Sequence, residues 1–313
     1  MKQLAIAIIL ATLCLSCAPK QEKQGVQSKE QTAPTKSYRF SYVQPPTMAS
    51  EEQQMLYMRD HFWDKFDFAD TLWVTKSDST EMIRAYMAYV GNFVGPLNQE
   101  PIRKLMQKAS TSKRMFDYFV SLSTKVLHDP NSPLRSDELY IAVLETQIAS
   151  PFYDKYEKMA PEYDLHIASQ NRIGQPANDF DYTVKSGKRS NLYSLKSDFV
   201  IVYINNPGCA MCRDITTALK QSQLISEMQR KGQLKVLAIY PDEDLNEWHK
   251  HYADIPAEWI NGYDKGCYIG RRNLYNINAI PALYLLDKAK CVLVKDSTNV
   301  GEIEFVLSQY PTR

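Results

Sequence analysis

Three apolar runs in the C-terminal part of the chain constrain its fold most: "FVIVYI" (Phe199 to Ile204), "LKVLAIY" (Leu234 to Tyr240) and "ALYLL" (Ala282 to Leu286). Between the first two lies an amphipathic stretch from about Met211 to Arg230 that reads as a helix. Ahead of them, "NDFDYTVKSGKRSNLYSL" reads as a β-hairpin turning at Ser186-Gly187. Helical stretches follow around Leu245 to Tyr252 and Lys265 to Tyr275. A last strand, Cys291 to Lys295, is joined to the third run by "DKAK", and a final helix spans about Gly301 to Gln309. Strand, helix, strand, helix, hairpin, helix is the order of an α/β domain with a mixed sheet.

The preceding part has a different period. Ser50 followed by Gln53 makes a capping-box signature, and Met55, Leu56, Phe62, Trp63 and Phe66 recur at helical spacing. Helical segments run from Thr80 to Phe93, Pro101 to Ala109, Lys113 to Leu127 and Asp137 to Ser150, with proline-bearing interruptions at "HDPNSPLRS" and "SPFYDKYEKMAP". The expected fold class is therefore two-domain α+β: an all-α domain over 41–165, then an α/β domain over 166–313. A length of 313 residues suits two domains that each bury a core. The helical domain is expected to fold separately and to supply contacts rather than chemistry.

The chain begins Met1-Lys2, continues with an apolar run from Leu4 to Leu15, and then reads Ser16-Cys17. A positive start, about 12 apolar residues and a small residue describe a secretory signal over 1–16. Such a run is shorter than the about 20 residues a spanning helix needs. Ser16-Cys17 resembles the bacterial lipobox, which implies acylation of Cys17. Cys14 stands where that motif usually has Leu, and an ordinary cleaved signal peptide is the alternative. Residues 17–40 are polar and read as a flexible tether, with a reach of roughly 25 Å for about 22 residues. The expected location is extracytoplasmic, where disulfides persist, and the expected membrane attachment is by lipid anchor. A net charge of +1 gives no electrostatic case for a nucleic-acid partner.

Cys209-Ala210-Met211-Cys212 follows the first apolar run and opens the helix after it. Helix N-termini offer unpaired N–H groups and about half a positive charge, which favour thiolate. Cys212, one turn later, would be the more shielded. An exposed attacking thiol with a shielded resolving thiol is what reversible disulfide exchange requires.

With "GQPANDFDY…SGKRSNLYSL" before the strand, C-x-x-C after it and "INAIPALYLLDK" later, the chain from about Gly174 onward resembles the thioredoxin fold, specifically the secreted TlpA/ResA-type thiol–disulfide oxidoreductases. The resemblance implies that Cys209 and Cys212 are catalytic and form the redox-active disulfide, with no other cofactor. It implies a cis peptide at Ile280-Pro281, with both residues contacting substrate. It also implies protein or small-molecule disulfide and thiol substrates, a membrane redox donor and a periplasm-facing site in a Gram-negative bacterium. The helical domain resembles a domain of unknown function found before such domains in bacterial lipoproteins. Two departures stand out. Pro207-Gly208 replaces the usual Trp before the first cysteine, and Tyr203 takes the place of thioredoxin's buried Asp. Asp242 and Glu243, in "YPDED" at the same sheet edge, are candidate proton acceptors, with a solvated loop as the alternative.

Other readings of the cysteines make different demands. A metal site would recruit His249 and His251, but histidines at i and i+2 on a helix diverge by about 200°, and no metal is expected. A peroxidase of this fold would have Thr three residues before its attacking cysteine, where this chain has Asn206. A non-catalytic binding module is the remaining alternative. Cys267 and Cys291 read as structural thiols rather than a second disulfide.

Overall fold

All six residues of the strand Phe199–Ile204 are buried, because both faces of the sheet it centres are covered. In the computed structural model, which describes residues 36–277 and 279–310, this strand is β3 of a sheet that also contains β1 (Asp181–Val184), β2 (Arg189–Asn191), β4 (Leu234–Tyr240), β5 (Ile260–Tyr263), β6 (Ala282–Leu286) and β7 (Val292–Ser297). The strand order is β2-β1-β5-β4-β3-β6-β7. β3 pairs with β4 in parallel and with β6 antiparallel, so the sheet is mixed as expected.

Strand periodicity divides the core in two. Ile201, Tyr203, Val236, Ala238, Leu283 and Leu285 face one layer, built with Ile215 and Leu219 of α8 (Ala210–Gln221), Ile225 and Met228 of α9 (Gln223–Arg230) and Ile303 and Leu307 of α12 (Val300–Ser308). Val200, Val202, Ile204, Leu237, Ile239, Tyr284 and Leu286 face the other, where Phe180, Leu192, Ile269 and Tyr275 close over them.

Among the described residues seven α-helices precede the sheet: α1 (Glu51–His61), α2 (Trp73–Lys76), α3 (Ser79–Phe93), α4 (Glu100–Ala109), α5 (Lys113–Ser123), α6 (Asp137–Ala149) and α7 (Met159–Ala168). The Ser50–Gln53 capping box opens α1 as expected. Side chains of Asp78, Ser112 and Ser136 cap α3, α5 and α6. Every residue from Glu138 to Leu144 of α6 is buried, so this helix runs through the middle of the aromatic-rich helical core. The chain is already packed at Tyr38, earlier than the expected end of the tether at residue 40. The Tyr38 ring meets Trp73 edge-on, and Phe40 packs on Phe62 and Trp63.

Four of the differences from expectation have an identifiable reason. α7 exists although Pro161 lies within it, because that proline stands in the first turn, where no N–H is needed. The helix expected over 211–230 breaks at Ser222, whose hydroxyl caps α9. The helix expected from Lys265 to Tyr275 shrinks to α11 (Tyr268–Arg271). β5 was hidden by its composition: Gly262 is needed where a Cβ would come within 3.0 Å of the Tyr182 ring and 3.3 Å of the Thr183 carbonyl.

The helical part and the sheet part meet through charges. Arg172 holds Glu138 with a contact of 2.5 Å, Lys295 lies 2.9 Å from Asp137, and Arg135 pairs with the buried Asp296. The intervening segment also joins the sheet. Gly174 N–H donates to the Val292 carbonyl and Val292 N–H to the Gln175 carbonyl, along the outer side of β7.

Candidate active site

The sheet delivers the cysteines to a defined edge. After β3, the turn Asn206-Pro207-Gly208-Cys209 closes with the Cys209 N–H 3.3 Å from the Asn206 carbonyl, with Gly208 at φ +74°. Pro at the second and a left-handed Gly at the third position form the signature of a type II turn. The turn ends in α8, whose N-cap is Cys209 itself. Its Sγ accepts the Cys212 N–H at 3.4 Å. The first thiol therefore occupies the position where helix dipole and free N–H groups favour an anion.

Cys212 is buried at 5% exposure and Cys209 is partly exposed, as the sequence led us to expect. Burial pushes the Cys212 thiol up to about 12, against the opposing effect of the Asn206 N–H, 3.4 Å from its sulfur. In this structure both are thiols, as are Cys267 and Cys291.

Register places the proline beside them. Ile204 is opposite Ala282, so Ile280-Pro281 lies level with the turn that leads to Cys209. The peptide is cis, as the resemblance implied. Ile280 packs against the same core layer as Cys209 and Cys212.

Tyr203, at the position where a buried acid was wanting, is a neutral phenol. Burial is the main cause that raises its pKa, and its hydroxyl is 2.7 Å from the Cys212 carbonyl and 3.2 Å from Thr216 Oγ1. It braces the first turn of α8 and cannot accept a proton at neutral pH.

Asp242 and Glu243 lie at the expected edge, after β4, but both are exposed and neither lines the cleft that holds the cysteines. Glu243 is 3.9 Å from Arg271 of α11 instead. The cleft, of about 260 Å3, is bounded by Cys209, Cys212, Arg213 and Lys220 on one side and Trp248, His251 and Asp254 on the other. The histidine is the residue that caps α10 (Leu245–Lys250), and its aspartate ends the 3-10 turn that follows. His249 is exposed against Trp248, and His251, one residue past the end of α10, lines the cleft. Among the described residues no group of three or more His, Cys, Asp or Glu gathers as a metal site. Cys267 follows β5 at the same edge as Cys209, whereas Cys291 precedes β7 at the opposite edge.

Comparison with known proteins bears on the family. A thioredoxin-like family model matches residues 197–292, and a domain of unknown function, DUF5106, matches 16–171. A thioredoxin-like protein from Bacteroides caccae is 41% identical, with a TM-score of 0.81 over 87% of this chain and 99% of its own. The chain belongs to the thioredoxin-like proteins. The C-terminal domain of an uncharacterized Bacteroides fragilis protein is 46% identical over 44% of this chain and 98% of its own, TM-score 0.43. The thioredoxin domain of a thiol-disulfide oxidoreductase from Bacteroides vulgatus is 19% identical over 44% and 97%, TM-score 0.39. No curated protein matches. The helical part of this thioredoxin-like protein thus carries the domain of unknown function that the sequence resembled.

Proposed function

We propose that this thioredoxin-like protein is a membrane-tethered, extracytoplasmic thiol–disulfide oxidoreductase. One observation carries the reading: a partly exposed Cys209 at a helix N-cap, backed by the buried Cys212 and flanked by cis Ile280-Pro281. Cys209 attacks a substrate disulfide, and its sulfur forms a mixed disulfide as one substrate thiolate leaves. Cys212 then attacks Cys209 Sγ, closes the Cys209–Cys212 disulfide and releases the second substrate thiolate. Ile280 offers backbone groups to an extended substrate, and Pro281 shapes the groove.

Reduction of protein or small-molecule disulfides is the direction we favour, with a membrane redox donor restoring the dithiol. Acylated Cys17 and the polar segment after it hold the domain at the membrane. The test is catalysed reduction of insulin by the mature chain, together with its equilibrium potential against glutathione. Dithiol–disulfide couples of this kind span roughly −270 to −120 mV. A folded wild type that accelerates insulin reduction no better than Cys209→Ser removes the enzymatic reading.

A further inference from the structure

The wall of the cleft opposite the cysteines holds a histidine that the exchange steps above leave unused. His251 Nε2 lies 3.6 Å from the place where a Cβ would stand on Gly208, the residue before Cys209. His251 Nδ1 is 2.8 Å from Asp254 Oδ2. Nδ1–H donated to that carboxylate leaves the lone pair of neutral imidazole on Nε2, the nitrogen on the Gly208 side. The arrangement is that of a histidine held by a carboxylate on the wall of a cleft that the nucleophile also lines.

From the placement of these groups we infer that His251, oriented by Asp254, is the proton-transfer residue for Cys209. The inference rests on the thiol–disulfide reading and supplies the base that Asp242 and Glu243 do not. In the forward step Nε2 takes the Sγ proton of Cys209. The sulfur then attacks the substrate disulfide: one S–S bond forms and the other breaks. The pair released on the departing sulfur takes the proton back from the imidazolium. The dithiol's two electrons and two protons pass to the substrate once Cys212 has closed the internal disulfide, so atoms and charge balance.

The charged and titratable groups that face His251 define what it feels. Asp254 and, at 3.5 Å from Nε2, Glu247 belong to its own segment. Cys209, Cys212, Arg213 and Lys220, from the turn and from α8, line the same cleft. His251 is partly exposed, so its replacement by Gln leaves the core intact.

The experiment reads the rate at which iodoacetamide alkylates Cys209 in the reduced mature chain between pH 5 and 9. His251→Gln should slow labelling at pH 7 by about tenfold, below the usual range of general acid–base effects, and by less at pH 9, where hydroxide competes as the base. Asp254→Asn should slow labelling at pH 7 in the same direction, and His249→Gln should superimpose on wild type. A His251→Gln profile that coincides with wild type, or that falls equally at every pH, overturns the proposal, as does an equal loss in His249→Gln. Labelling needs no turnover. A chain that reduces no disulfide would sink the enzymatic reading while leaving this measurement of His251 intact.

Discussion

The phenol of Tyr203 donates a 2.7 Å hydrogen bond to the carbonyl of Cys212. A buried side chain of the central strand thereby holds the first turn of the helix that carries both thiols. Tyr203→Phe keeps the ring and its packing but leaves the carbonyl without this donor. We expect it to lower stability by about 1–2 kcal/mol in urea unfolding. No change in the transition midpoint would mean that the bond contributes nothing net.

The difference in exposure between the cysteines assigns their roles. Cys212→Ser should trap a mixed disulfide on Cys209, since attack survives and resolution does not. Cys209→Ser should trap little, because the remaining thiol is buried. Equal trapping by the two variants, read by non-reducing mass spectrometry, would refute the assignment.

Resolution should depend steeply on pH. Burial holds the Cys212 thiol up to about 12, so its thiolate fraction rises about tenfold per pH unit below that value. Decay of a preformed Cys209 mixed disulfide should accelerate accordingly from pH 7 to 10 without a plateau. The same shift has a sign for stability. The folded thiol keeps its proton above about pH 8.5, where the unfolded one releases it. Cys212 therefore contributes stability below that pH, and the contribution fades as pH rises towards 12. A plateau in the decay rate near pH 8 would contradict both.

Asp296, paired with Arg135 across the two parts of the chain, offers a second pH test. Burial pushes its carboxyl up to about 6, with Arg135 opposing. The folded state therefore favours the protonated acid, and this group's contribution is greatest below about pH 4 and is lost as pH rises through about 6. Relative to Asp296→Asn, wild type should lose on the order of 2–3 kcal/mol between pH 4 and pH 7.5. A difference between the two proteins that is flat with pH would show that Asp296 does not titrate this way.

Lipid attachment rests on Ser16-Cys17, which lies outside the described residues. Stable anchoring takes more than one acyl chain, which a lipobox cysteine would receive. Cys17→Ser should move the protein from the membrane pellet to the soluble fraction. Retention in the pellet would exclude the anchor.

Sheet and thiols were legible for the same reason: both sit where local pattern and tertiary setting agree. "FVIVYI" has one reading as a strand covered on both faces, and the turn and helix after it follow from Pro207, Gly208 and the spacing of Ile215 and Leu219. Where a residue's local meaning depends on its place in an element, the sequence misled. Pro161 breaks a helix interior but not a first turn, and Gly262 weakens a strand except where a neighbouring ring leaves no room for a side chain. His251 and Asp254 were hidden differently. They are remote in sequence from Cys209 and meet its turn only because β3 and β4 end at the same edge. The signal available was an i, i+3 His–Asp pair at the end of the helix that follows β4, which the metal reading of His249 and His251 obscured.

The segment that runs along β7 has a consequence for the protein in company with copies of itself. An open strand edge is a template for pairing with another chain. Here the β7 side is occupied by backbone bonds at Val292 and by the Lys295 ammonium reaching the Ala168 carbonyl at 2.6 Å. The opposite edge is β2, only three residues long and made of Arg189, Ser190 and Asn191. One edge is thus engaged at the start of its strand and the other is short and polar, which leaves another chain little open strand to pair with.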